Sequence, residues 1–102
     1  MIDVVAMITA KPGQREKILE AARDNLAAVR AEEGCIEYRL AVDAEGFKFQ
    51  TPVGSDTFLV IEKWEDGDAL KAHAAAPHMA AYAAKVKDLI ASRVIHVLES
   101  AE

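Results

Sequence analysis

The chain has a single cysteine, Cys35, so no internal disulfide can staple it and its stability must come from a packed core. A reducing, cytoplasmic setting is the expectation that goes with one thiol. Basic residues are in deficit, with 12 Lys and Arg against 17 Asp and Glu and a net charge of -5. With no Lys/Arg cluster to offset that average, nucleic acid is disfavoured as a partner, because its phosphates would be repelled. No run approaches the roughly 18 apolar residues of a membrane span. The apolar start is interrupted by Asp3 and lacks a basic leader, so it does not read as a secretory signal. Repeats, low-complexity segments and linkers are also missing. What remains is 102 residues, 52% of them hydrophobic, which suits one domain over 1–102; a chain of this size buries roughly 60 to 70% of its unfolded surface and has nothing left for a second core. The expected partner is a small molecule or another protein.

Ile2 to Ala10 is almost continuously apolar and β-branched, the pattern of a strand covered on both faces. After Lys11, Pro12 and Gly13, the apolar positions Ile18, Ala22, Leu26 and Val29 recur at helical spacing, and Gly34 is a suitable stop. Cys35 to Asp43 alternates as a second strand. Residues 44–56 hold Gly46, Pro52 and Gly54 around Phe47 and Phe49, which suggests a short edge strand or flap in a long hairpin connection. Ser92 to Glu99 alternates as a closing strand.

The uncommon side chains concentrate between Thr57 and Tyr82. Strand alternation puts Phe58, Val60, Glu62 and Trp64 on one face. Asp66 or Asp68 can cap the helix that follows, which reads from Ala69 to Ala76, and Pro77 suits the start of another. On these helices Leu70 and His73 are three apart, and His78 and Tyr82 four apart, so each pair shares a face. Polar groups therefore converge on an apolar surface, the composition of a small-molecule pocket and equally of a helix-on-sheet core with a few satisfied polar members. The order strand, helix, strand, strand, helix, strand is that of an α+β ferredoxin-like βαββαβ sandwich. Its helices cover one face of an antiparallel sheet, and an uncovered apolar face predicts a two-fold homodimer with sheet against sheet.

Several segments in this order resemble the antibiotic biosynthesis monooxygenase superfamily, most closely its bacterial quinol monooxygenases. They are Lys11 to Gln14 (KPGQ), Glu32 to Cys35 (EEGC) with Tyr38, Val42 and Asp43, Phe49 and Gln50, Ile61 to Glu65 (IEKWE), and Ala72 to Tyr82 (AHAAAPHMAAY). The resemblance implies a dimeric α+β barrel. It also implies an oxygenase that needs neither metal nor organic cofactor and acts with O2 on quinols or related electron-rich aromatics.

A phenolic hydroxyl with a pKa of about 10 is ionised in only about one molecule in a thousand at pH 7, whereas a histidine of pKa about 6.5 can take its proton. With the resemblance, His73 or His78 is the expected base or anion stabiliser and Trp64 the wall against which the substrate stacks. Tyr38, Tyr82, Met79 and Glu62 are the expected remaining substrate contacts. Each has a structural alternative. Trp64 can be a core residue near a strand end, and either histidine a hydrogen-bonded core member. Glu62 can be a buried acid, a partner of a neighbouring lysine or simply exposed, His96 a satisfied sheet residue, and Cys35 a packing residue or a reactive thiol.

Haem-degrading relatives carry an asparagine on the first strand and a later helical histidine, whereas the only asparagine here is Asn25, in the first helix. A metal site from His73 and His78 is weak, because five residues across Pro77 do not place two imidazoles on one helical face. Two further classes stay open: an isomerase of a small phosphorylated signal, for which Leu70 to Tyr82 offers only Lys71 as a cation, and a non-catalytic aromatic-binding dimer.

Overall fold

Strand alternation decides which side of the sheet becomes the core. In a computed structural model describing residues 1–102, β1 (Ile2–Ala10) buries Val4, Ala6, Ile8 and Ala10, while its odd-numbered positions stay half-exposed on the opposite face. This chain by itself therefore covers β1 on one face, not both. β3 (Thr57–Trp64) likewise sends Phe58, Val60, Glu62 and Trp64 into the interior. β2 (Cys35–Ala41) and β4 (Ile90–Leu98) form the edges of a four-stranded antiparallel sheet in the order β2-β3-β1-β4. The helices lie on one face, giving the α+β ferredoxin-like fold.

Helix α1 (Arg15–Arg30) directs Ile18, Leu19, Ala22 and Val29 at the sheet. It ends at Arg30, four residues before Gly34, and the chain turns through Glu32 into β2. The Asp66 carboxylate accepts the Ala69 N–H at 2.8 Å and starts α2 (Gly67–Ala74). Pro77 opens α3 (Pro77–Val86), which passes through a 3-10 turn at Lys87–Leu89 into β4. The helical segment before Pro77 thus starts and stops two residues earlier than its apolar pattern suggested.

Two packed groups fill the space between helices and sheet. One joins Ile18, Phe58 and Val86; the other surrounds Trp64 with Val4 and Val29. Fully burying side chains of this size contributes roughly 1.5–3 kcal/mol each. β4 escapes this cover, and Val94, Ile95, Val97 and Leu98 are all about half-exposed. No helix is long and apolar enough to cross a membrane.

The 44–56 connection forms turns without an edge strand, and β2 stops at Ala41, before Asp43. The reason is a local competitor for the backbone. The Asp43 carboxylate accepts the N–H groups of Val53 and Gly54, at 2.9 and 3.0 Å, and the Gln50 side-chain amide. Those bonds hold the Asp43 carboxyl below the usual carboxylate range.

Candidate functional site

Gly34 allows the turn that brings Glu32 to the helices. Its φ is +81°, in the region that favours glycine, and a Cβ there would approach the Ala69 Cβ to 2.6 Å. Its carbonyl accepts the Glu65 N–H at 2.8 Å, tying the turn to the end of β3. Glu32 is thereby held beside α2 and α3 at once.

Four ionisable side chains follow from the interior outward. Glu62 is buried and accepts the Trp64 indole N–H at 2.9 Å. Burial pushes its carboxyl up; the Trp64 bond and nearby His73 oppose this, and the Glu32 charge adds to it. His73 is 5% exposed, with Nε2 4.0 Å from the same Glu62 Oε1 and Nδ1 2.8 Å from Glu32 Oε2. Its ring lies 4.7 Å from Trp64 and meets Tyr38 edge-on at 5.5 Å. The last of the four, His78, has Nε2 3.3 Å from the same Glu32 Oε2, outside hydrogen-bonding direction, so neither buried ring nitrogen has a partner.

The two histidines thus meet one carboxylate oxygen although the Ala76–Pro77 break puts them on different helices. Only His78 reaches the outside. It lines a cleft of about 170 Å³ between α1 and α3 with Asp24, Asn25, Tyr82 and Lys85. Burial raises the Tyr82 hydroxyl, with Arg93 pulling the other way. A wider depression of about 370 Å³ runs along the outer edge of β2 past Arg30, Cys35 and Arg39, and no imidazole lines it. We favour the smaller cleft as the site because its lining includes His78, whose two ring nitrogens have no hydrogen-bond partner.

The expected site residues therefore divide. Trp64, His73 and Glu62 are sealed together, Tyr38 and Met79 pack half-buried against the same group, and only His78 and Tyr82 line the cleft. Burial, followed by the charge of Glu62, pushes the Tyr38 hydroxyl far up. Met79 Sδ faces the Asn25 amide at 3.3 Å. Cys35 packs beside Trp64, and burial followed by the Glu32 and Glu62 charges raises its thiol, which disfavours a nucleophilic thiolate. His96 is exposed on β4 opposite Val5, and Lys63 pairs with Asp3, so neither joins the site.

Glu32 and Asn25 were not among the candidates. A carboxylate in a turn carries no periodic signal; Asn25 could have been found from its four-residue spacing to Ala21 on the α1 face toward α3. No group of three or more His, Cys, Asp and Glu side chains is arranged to hold a metal ion.

Residues 1–85 match the antibiotic biosynthesis monooxygenase family. Over 102 residues the chain is 37% identical to the probable quinol monooxygenase YgiN of Escherichia coli (strain K12), covering 97% of each chain. It is 35% identical over 92 residues to the protein YcnE of Bacillus subtilis (strain 168), covering 90% of this chain and 88% of that one. The solved structure of PA3566 from Pseudomonas aeruginosa superposes with a TM-score of 0.82 at 30% identity, over 99% of this chain and 94% of that one. On sequence and fold together, the chain belongs to the antibiotic biosynthesis monooxygenase family.

Proposed function

We propose that the chain is a monooxygenase that uses neither metal nor organic cofactor and oxidises a quinol, or a similar electron-rich aromatic diol, with dioxygen. The observation that carries this reading is His78: the residue lines a cleft, its ring nitrogens have no hydrogen-bond partner, and a carboxylate lies 3.3 Å from one of them. An imidazole beside a cleft is a group that can take a proton from a bound hydroxyl. The substrate class is supported by the name of the Escherichia coli relative.

The chemistry closes with the chain's own residues. His78 takes the hydroxyl proton of a bound diol, and the resulting anion gives one electron to dioxygen. The two radicals join at a ring carbon, forming a C–O bond. The hydroperoxide then breaks its O–O bond, a carbonyl forms at that carbon, and the second oxygen leaves as water with two hydrogens from the diol. Diol and dioxygen thus become a hydroxyquinone and water. In this reading Tyr82 and Asn25 offer polar contacts, while Trp64, His73, Glu62, Tyr38 and Met79 form the packed wall behind the base.

The cleft is smaller than the roughly 300–1,000 Å³ typical of drug-sized ligands, which favours a compact ring system. A homodimer is part of the same proposal. The half-exposed apolar residues of β4, continuous with Val5, Met7 and Ile61 on the open face, are the surface that a second copy would cover. Sedimentation should therefore give twice the chain mass. A cytoplasmic location accords with the lone cysteine. An isomerase acting on a phosphorylated metabolite fits less well, since the cleft's cation Lys85 is accompanied by Asp24.

Oxygen uptake by metal-free protein over a panel of reduced naphthoquinols and polyphenols tests the proposal, with autoxidation measured beside a His73→Ala/His78→Ala double variant. Uptake well above that control, with an oxygenated product, is expected. Uptake equal to the control across the panel would contradict it, and retained binding without turnover would turn the reading toward an aromatic-binding protein.

A further inference from the structure

Glu32 stands at the junction between the sealed and open halves of the site. One of its oxygens, Oε2, lies 2.8 Å from His73 Nδ1 and 3.3 Å from His78 Nε2, and the carboxylate is largely buried. The first contact is a well-directed hydrogen bond; the second is close enough for an ion pair but off the hydrogen-bonding line. A carboxylate can only accept, so the bond to His73 places that ring's proton on Nδ1 and leaves Nε2 directed toward Glu62. His78 in its neutral form gains little from Glu32, whereas its protonated form gains a directly opposed charge. Glu32 thus distinguishes the two states of the base without lining the cleft.

We infer that Glu32 is a positioning residue for the oxygenase reaction: it locks His73 with the proton on Nδ1 and places a negative charge 3.3 Å from His78, against the imidazolium that forms when His78 takes the substrate proton. This rests on the monooxygenase reading for its use in catalysis, while the coupling of the two imidazoles can be measured without substrate. Other ionisable groups facing His78 are Asp24 from α1 and Lys85 and Tyr82 from α3; those facing His73 are Glu62 from β3 and Tyr38 from β2. None of them lies against both imidazoles, as Glu32 does.

Glu32→Gln keeps the side-chain shape and removes the charge, and Glu32→Asp keeps the charge on a shorter arm. Nitrogen and carbon NMR of the imidazoles, followed over pH in wild type and both variants, reads the coupling directly. In Glu32→Gln the His73 ring should lose its fixed Nδ1–H tautomer, and the His78 ring resonances should change with the loss of the charge 3.3 Å away. In Glu32→Asp the second effect should be partly restored. With a turned-over quinol, kcat should fall about tenfold to a hundredfold in Glu32→Gln with KM nearly unchanged.

Unchanged imidazole spectra in Glu32→Gln would overturn the inference even if the wild type is a working oxygenase. Lost activity with unchanged imidazole spectra would also overturn it, by assigning Glu32 to the fold alone. Altered imidazole spectra in Glu32→Gln, beside a wild type that oxidises no quinol, would overturn the monooxygenase reading and leave the coupling in place.

Discussion

The two histidines sit five residues apart and share one carboxylate oxygen, yet they occupy opposite kinds of environment. His73 is 5% exposed, hydrogen-bonded, and packed between Trp64 and the edge-on ring of Tyr38. His78 is half-buried, lines a cleft, and has no hydrogen-bond partner on either nitrogen. A satisfied polar group holds structure, whereas one without a partner, on a side chain that lines an opening, still has its hydrogen bond to make. The difference separates scaffold from reactive group within one cluster.

If the sealed half is scaffold, disturbing it should appear first as lost stability. Trp64→Ala removes a fully buried indole and leaves Glu62 without its donor, so denaturant unfolding should show a loss of about 3–5 kcal/mol. A loss below about 1 kcal/mol would break the comparison from that side. On the open half, His78→Ala should lower kcat on a quinol by about a hundredfold or more, the usual range for a lost proton acceptor, while changing stability by less than about 1 kcal/mol. His73→Ala should do the reverse in emphasis, costing about 1.5–3 kcal/mol from its bond to Glu32 in unfolding measurements. Equal profiles for the two variants would dissolve the distinction.

A pH experiment sharpens the sealed half further. Because burial raises the Glu62 carboxyl, the folded state holds its proton to higher pH than the unfolded state does. Stability contributed by this group is therefore present below the ordinary carboxylate range and declines as pH rises through the raised value. Glu62→Gln, which keeps an oxygen for the Trp64 N–H, should gain relative to wild type as pH rises through that window and match it in acid. Chemical denaturation at several pH values measures this, and a difference independent of pH would contradict it. The smallest effect belongs to Tyr82→Phe, which retains the ring and loses a half-buried hydroxyl. With no intramolecular hydrogen bond to lose, it should change stability by less than about 0.5 kcal/mol and KM by less than tenfold.

Much of the scaffold could be read from the chain because it rests on local rules. Alternation placed Phe58, Val60, Glu62 and Trp64 on one face of β3, Asp66 met its role as a cap, and Pro77 opened a helix. The site was less legible, since its central member, Glu32, is 41 residues from His73 in a turn without periodicity. Helical spacing argued against a metal site built from His73 and His78 and gave no sign that they meet one carboxylate, which they do because the break at Ala76–Pro77 puts them on separate helices. In 44–56 the alternation of Phe47 and Phe49 suggested a short edge strand or flap; no strand forms, and three hydrogen bonds to Asp43 hold the segment in turns. Tertiary bonds of this sort have no one-dimensional signature.

Isotopically labelled dioxygen is the most direct test of the oxygenase itself. Metal-free wild-type protein and His78→Ala would each be given a reduced naphthoquinol under labelled gas, and the product analysed by mass spectrometry with autoxidation subtracted. The expected result is one labelled oxygen in the wild-type hydroxyquinone, the other in water, and at least a hundredfold less labelled product per unit time from His78→Ala. Label absent from the product, or incorporated equally fast by the variant, would contradict a monooxygenase reaction based on His78.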